Sequence, residues 1–267
     1  MIELRTGIKM GYREVGETGS QSVVMIHGAT DSSLSFSQVA PLVADAGYHV
    51  FLPELRGHGE SDKPDEFYKI SLLAEDIAAF MEMRAGPAHL VGHSIGSFVA
   101  QELAITRPDL VLSLTLIGAS DKMAGSKALQ WILYGADDFP GALALQGEMS
   151  DEFLIDWTSS DNEDAAFVQG TFDHAKRLPG HVWINTFCGS EDLNNSQRLA
   201  EITLPVQIIW GTGDDFFKKR DQLSLINSLG SDMLLYIQKP GKGHNIHWEK
   251  GMAKEIAEDI CKFIKGT

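Results

Sequence analysis

Cysteine is scarce in this 267-residue chain: only Cys188 and Cys261 occur, far apart and at no metal-ligand spacing. Two such thiols point to a reduced intracellular protein in which both are structural. Also missing is any apolar run long enough to span a bilayer. The first residues, Met1-Ile2-Glu3-Leu4-Arg5-Thr6-Gly7, contain no signal-peptide core. The expected compartment is therefore the cytoplasm. Positive charge is short as well. Lys and Arg number 22 against 37 Asp and Glu, a formal net charge of −15, which argues against nucleic acid or an anionic membrane surface as a partner. The same balance holds no special attraction for an anionic substrate. There is no internal repeat and no low-complexity linker.

What is present suits a globular protein. Hydrophobic residues make up 43% and charged residues 22%, enough for a substantial core, and the length fits one large α/β domain or one domain with an insertion. Residues 2–5 and 8–15 read as two short strands. Residues 22–26, 49–52, 87–91 and 111–118 are apolar runs of the kind a strand buried on both faces requires. Helical patterns alternate with them: 34–45, with Phe36, Val39, Leu42 and Val43 on one side; 71–83, capped by Ser71 and interrupted on its apolar face by Asp76; and 97–104. After residue 204 the alternation resumes with strands 205–210 and 233–237, a helix over 220–229 and a closing amphipathic helix over 248–264. The pattern predicts a mostly parallel eight-stranded sheet flanked by helices. Between 120 and 203 there is no clear strand. Short helical pieces there are rich in large apolar residues, including Trp131, Phe153, Trp157, Trp183 and Phe187. They pack a helical subdomain of their own, and an inner face over the carboxyl edge of the sheet would line an apolar pocket. The expected organisation is a core of 1–119 and 204–267 with a helical cap inserted at 120–203.

The motif that carries chemistry is Gly92-His93-Ser94-Ile95-Gly96, between a strand and a helix. So tight a turn forces a strained backbone on Ser94, and the two glycines keep side chains away from strand and helix. It lifts the Ser94 hydroxyl above the sheet and leaves the Ile95 amide at a helix N-terminus, facing an oxyanion position. A serine hydroxyl needs a base and a group to orient that base. The chain order Ser, Asp, His is met by Asp214, after the strand ending Trp210-Gly211, and by His244, after the last strand. All three fall at the sheet edge where sites assemble in parallel folds.

Five motifs in order, His27-Gly28, Glu54-Leu55-Arg56-Gly57-His58-Gly59-Glu60-Ser61, Gly92-His93-Ser94-Ile95-Gly96, Trp210-Gly211-Thr212-Gly213-Asp214 and Gly243-His244, make the chain resemble the α/β-hydrolase superfamily. The likeness spans nearly its full length and falls in the esterase- and lactonase-like branch with a helical cap. The resemblance implies Ser94 as nucleophile, Asp214 as orienting acid, His244 as base, and the backbone amides of Ala29 and Ile95 as oxyanion-hole donors. Two positions depart from the family pattern: Glu54 stands where Asp is common, read as a loop adjustment, and Ser97 replaces a frequent glycine. Asp121, after the sixth strand, is the rival acid, while Asp215 is excluded by its offset from Gly211. His27 and His58 are read as structural, His93 as pointing away from the site, and His247 as opening the final helix. Thr30, Asp31, Ser32 and Ser33 are read as satisfying the oxyanion loop, with hydrogen bonding to substrate as the alternative. Cys188 is read as a buried structural thiol.

The implied reaction is hydrolysis of a carboxylic ester or lactone of a small to medium, partly hydrophobic molecule, through an acyl-enzyme and with no metal or organic cofactor. Haloalkane dehalogenases and epoxide hydrolases of this fold use aspartate at the elbow, so Ser94 sets the chain apart from them. Carbon–carbon bond hydrolases keep the same triad and stay open, although the loop after Gly28 lacks their glycine- and proline-rich run. The loop also lacks the His-Gly-Gly-Pro-Gly of prolyl peptidases. A ligand receptor that retains a vestigial triad is the reading from another class, and cofactor-free oxygen chemistry or perhydrolysis shares the same residues.

Overall fold

The computed structural model describes residues 1–136 and 139–267. The nine strands among the described residues are β1 (Ile2–Glu3), β2 (Lys9–Met10), β3 (Tyr12–Val15), β4 (Ser22–Ile26), β5 (His49–Pro53), β6 (Ala88–His93), β7 (Val111–Ile117), β8 (Val206–Gly211) and β9 (Leu234–Lys239). Seven of them form one sheet in the order β3-β5-β4-β6-β7-β8-β9, with only β3 antiparallel. The mostly parallel sheet is as expected, but its strand number is seven rather than eight. The N-terminal run does not join it as two strands. Gly11 splits the 8–15 run: its amide donates to Ser61 Oγ at 2.9 Å, and a Cβ there would lie 2.4 Å from Glu54 Oε2. The piece before Gly11, β2, pairs with β1 in a separate two-stranded ribbon.

The nine α-helices are α1 (Ala40–Asp45), α2 (Ile70–Phe80), α3 (Ile95–Thr106), α4 (Lys127–Tyr134), α5 (Asp151–Trp157), α6 (Ala165–Arg177), α7 (Gly180–Cys188), α8 (Lys219–Ser228) and α9 (Met252–Ile264) among the described residues. The central strands divide their side chains between two apolar layers by the strand period of two. Val24, Ile26, Phe51, Leu90 and Ile208 join the core under α2, α3 and α8, while Val23, Met25, Val50, Val91 and Ile209 face the smaller core under α1 and α9. Burial on both faces explains why these strands are continuous apolar runs.

Several helix boundaries differ from the sequence pattern for identifiable reasons. The run over 34–45 is a short 3-10 turn, Ser33–Phe36, followed by α1. Pro41 is tolerated in the first turn of α1 but would break a helix begun at Leu34. The helix expected from Ser71 starts at Ile70 after an extended Lys69, without a side-chain cap. Asp76, which interrupts its apolar face, is fully buried in a two-pronged ion pair with Arg56 (2.6 and 2.8 Å) and accepts the Thr6 hydroxyl at 2.6 Å. The closing helix begins at Met252, and residues 246–248 form a separate 3-10 turn.

Between β7 and β8 lie α4 to α7, with isolated bridges but no strand among the described residues. The starts of α4, α5 and α6 follow from capping: Ser126 Oγ accepts from Leu129 N, Ser150 Oγ from Phe153 N, and Asp164 Oδ1 from Ala166 and Phe167 N. Their aromatic side chains form one connected stack, Trp131–Phe139–Phe153–Trp157–Trp183–Phe187. No helix of the structure is long and apolar enough to cross a membrane among the described residues.

Candidate active site

The site is built at the carboxyl ends of β4, β6, β8 and β9. At the end of β6 the chain turns directly into α3, and Ser94 adopts φ 52°, ψ −120°, a left-handed conformation costly for a non-glycine residue. Both glycines of the motif are sterically required. A Cβ on Gly92 would lie 2.4 Å from Gly96 O, and one on Gly96 would lie 2.2 Å from Ile26 O. The Ser94 amide donates to Ile117 O at 3.0 Å, and its carbonyl accepts both the amide (2.9 Å) and the hydroxyl (2.6 Å) of Ser97. The hydroxyl thus adds to the turn one bond that a glycine at 97 could not make.

His244 follows β9, and its Nδ1 lies 2.9 Å from Asp214 Oδ2. Asp214 follows β8 and is buried. Its other oxygen, Oδ1, accepts the amides of Phe216 (2.8 Å) and Phe217 (3.0 Å), so Oδ2 is left for the imidazole. A carboxylate held this way fixes the Nδ1–H tautomer and leaves Nε2 as the basic nitrogen. The ring sits against Phe216 and Phe217, with centroids at 4.6 and 5.5 Å. It fits because Gly118, at φ 52°, has no side chain: a Cβ there would lie 3.1 Å from the ring. Ser94 and His244 open onto one cavity, and Gly28, Ala29 and Ile95 line it with them.

The rival acid is accounted for elsewhere. Asp121 Oδ2 accepts the hydroxyls of Ser196 (2.6 Å) and Ser224 (2.7 Å), tying the start of the helical segment to α8. Asp215 is exposed and pairs with Lys218 at 2.6 Å.

The loop carrying Ala29 is held by two buried histidines. His27 Nε2 accepts the Leu55 amide (3.0 Å) while its Nδ1 donates to Gly28 O (2.8 Å); His58 Nε2 accepts the Thr30 amide (3.0 Å) while its Nδ1 donates to Arg56 O (2.9 Å). Each ring must be neutral to do this. Burial holds it so, pulling His27 down to about 3 and His58 well below the ordinary histidine range. Thr30, at φ 59°, donates its hydroxyl to Ala29 O (2.7 Å) and receives Trp157 Nε1–H (2.8 Å), which links the helical segment to the loop. Glu54 ties a third side: Oε1 takes the Ser33 hydroxyl at 2.6 Å, and Oε2 takes the Glu60 amide at 2.7 Å. Neither the Ala29 nor the Ile95 amide has an acceptor within the protein among the described residues. Both residues line the cavity that Ser94 and His244 share.

His93 does not point away from the site: it is among the residues lining the cavity, its ring centroid lies 5.0 Å from that of His244, and its Nε2 donates to His244 O at 3.2 Å. His247 does not open the final helix. It sits in the 246–248 turn with Nε2 against Ser35 Oγ at 2.9 Å, and burial lowers it to about 3. Cys188 is half-buried at the end of α7, away from the cavity. The rest of the wall is mostly apolar, with Met123, Ile132, Trp157, Phe187, Phe216 and Trp248 contributing, and Asp31, His93 and Asn245 are its other polar members. Of the aromatics expected to line a pocket, Trp157 and Phe187 do so, whereas Gly118 and Phe216 are not marked by the sequence pattern, because their contribution is a contact made across the fold. Among the described residues, no group of three His, Cys, Asp or Glu is arranged to hold a metal ion.

A family model described as alpha/beta hydrolase fold matches residues 21–251. An epoxide hydrolase A of Mycobacterium tuberculosis is 32% identical over 114 residues, 42% of this chain; the match spans only about a third (35%) of that relative's length. A 2-hydroxy-6-oxo-6-phenylhexa-2,4-dienoate hydrolase of Comamonas testosteroni is 29% identical over 260 residues, 90% of this chain and 86% of the relative. Among solved structures, a thermophilic esterase from Thermogutta terrifontis superposes with a TM-score of 0.82 over 99% of this chain and 97% of that one, at 17% identity.

Proposed function

The chain belongs to the α/β-hydrolase fold family, and from that premise we propose that it is a serine hydrolase cleaving a carboxylic ester or lactone through an acyl-enzyme on Ser94. The observation that carries the reading is the His244 Nδ1–Asp214 Oδ2 contact at 2.9 Å, beside a serine held at φ 52° on the wall of the same cavity. Ser94 Oγ attacks the carbonyl carbon as its proton passes to His244 Nε2. The negative charge moves to the carbonyl oxygen, where the Ala29 and Ile95 amides meet it; one such donor is worth roughly 10²–10³ in rate. The imidazolium, stabilised by Asp214, returns its proton to the departing alkoxide. Water then repeats the sequence on the acyl-enzyme and frees the acid.

An alkyl or aryl portion of the substrate suits a wall built of Trp157, Phe187, Phe216 and Trp248. Of the relatives, the Comamonas hydrolase favours one second reading, carbon–carbon bond hydrolysis with the same three residues. The test is turnover of p-nitrophenyl esters of two to eight carbons by wild type and Ser94→Ala, alongside a vinylogous 1,5-diketone. Ester turnover that falls at least ~10⁴-fold in the variant supports the esterase reading. Full activity in the variant overturns it, and turnover of the diketone alone transfers the site to the second reading.

A further inference from the structure

The mechanism leaves one acidic group on the cavity wall unused. Asp31 follows the oxyanion amide of Ala29 by two residues and is the only acidic residue among those described as lining the cavity. The residue is buried, with a relative exposure of 5%. Oδ1 accepts the Ser32 amide at 2.7 Å, whereas Oδ2 is buried with no hydrogen-bond partner. Ser35 stands near the carboxyl but makes no hydrogen bond of good geometry to it, and its contacts run elsewhere. Ser35 Oγ takes Trp248 Nε1–H at 3.1 Å and lies 2.9 Å from His247 Nε2, while Glu54 is engaged by Ser33 and Glu60. No lysine or arginine is among the groups acting on the carboxyl: those are Ser35, the Ser32 amide and Glu54, with His174 approaching the Asp31 backbone from α6. A buried carboxyl oxygen without a donor is costly, and an apolar side chain would fill the wall without that cost.

We propose that Asp31 Oδ2 receives a hydrogen-bond donor of the substrate, a hydroxyl or a protonated amine carried within a few bonds of the reacting carbonyl. This rests on the hydrolase reading and narrows its substrate class to hydroxy- or amino-substituted esters and lactones with an otherwise apolar frame. The adjoining groove shares Trp157, Phe216, His244 and Asn245 with the cavity and carries Asp156, Asp161, Asp215 and Glu249. Although Lys218 and Lys242 pair with two of these, the approach favours a neutral or cationic molecule over an anionic one. Burial, with Glu54 adding to it, pushes the Asp31 carboxyl up to about 7, so a bound donor also stabilises its ionised form.

The experiment compares p-nitrophenyl butanoate with its 3-hydroxy, 3-amino and 3-methoxy derivatives in wild type and Asp31→Asn. The hydroxy and amino esters are expected to exceed butanoate at least ~10-fold in kcat/KM, mainly through KM, with the methoxy ester, an acceptor only, showing no gain. The ratio should collapse to about one in Asp31→Asn. Equal kcat/KM for all four in wild type, a gain for the methoxy ester, or a ratio that survives the substitution overturns the proposal. If the variant does not fold, wild type alone decides: the hydroxy-to-butanoate ratio should fall as pH drops from 8 to 6, and a flat ratio overturns the role. Should none of the esters turn over, the hydrolase reading fails separately. Asp31 is then judged by calorimetry with benzylamine, benzyl alcohol and benzyl methyl ether. Binding of the first two at least ~10-fold tighter than the ether supports the site; equal or absent binding contradicts it.

Discussion

At the scale of single residues, the division of labour between two aspartates is the sharpest consequence of the geometry. Asp214 and Asp121 both follow core strands and both are buried, but only Asp214 meets His244, while Asp121 takes three serine hydroxyls, Ser120 on Oδ1 and Ser196 and Ser224 on Oδ2. Asp214→Asn should lower kcat by roughly 10⁴ through the wrong imidazole tautomer, whereas Asp121→Asn should change kcat less than ~10-fold and lower the melting temperature instead. Steady-state kinetics and thermal melts of the two variants check this. Ser94 and His244 were legible in the sequence because tight turns need glycines at fixed offsets. The choice of acid was harder to read, since it depends on which carboxylate has a free oxygen once the Phe216 and Phe217 amides or the Ser120, Ser196 and Ser224 hydroxyls have taken their share. Asp31 shows the same limit. In sequence it is one polar residue of four in a loop, and only the fold reveals that one of its oxygens is left without a donor.

Among the elements, α9 shows how far periodicity reaches. Met252, Ile256, Ala257, Ile260, Cys261 and Ile264 form the stripe that closes the lower layer against Val39, Val43 and the β4 side chains Val23 and Met25. Ile260 is fully buried, so Ile260→Ala should cost about 2–5 kcal/mol and leave KM nearly unchanged, as denaturant titration and kinetics would show. The parallel strands were readable for a related reason, since burial on both faces leaves an unmistakable apolar run. Failures came where a single residue or tertiary contact overrides the local pattern. Gly11 detaches β2 from the sheet because the side chains of Ser61 and Glu54 occupy the space beside it. Pro41 shortens α1, and the buried 246–248 turn, anchored by His247 to Ser35, delays α9.

For the molecule as a whole, the buried histidines set the acid limit. His27 and His247 are lowered to about 3 and His89 to about 4, and His58 and His93 lie well below the ordinary value, all chiefly by burial. Unfolded, each takes a proton near pH 6.5 that the folded chain refuses. Stability is therefore full above that pH and is lost as pH falls, by up to ~1.4 kcal/mol per pH unit for each group. Buried His174 is lowered in the same way, and Asp31, raised to about 7, acts with the opposite sign, one group against six. Melting temperature should therefore drop steeply between pH 6.5 and 4, and a flat profile would contradict the neutral, buried state of these rings. The central claim, that Asp214 and His244 activate Ser94, is tested most directly by fluorophosphonate labelling followed by peptide mass spectrometry of wild type and His244→Ala. The account predicts a single adduct on Ser94, formed at least ~10³-fold more slowly in the variant. An adduct on another residue, or equal labelling rates in both proteins, would contradict it.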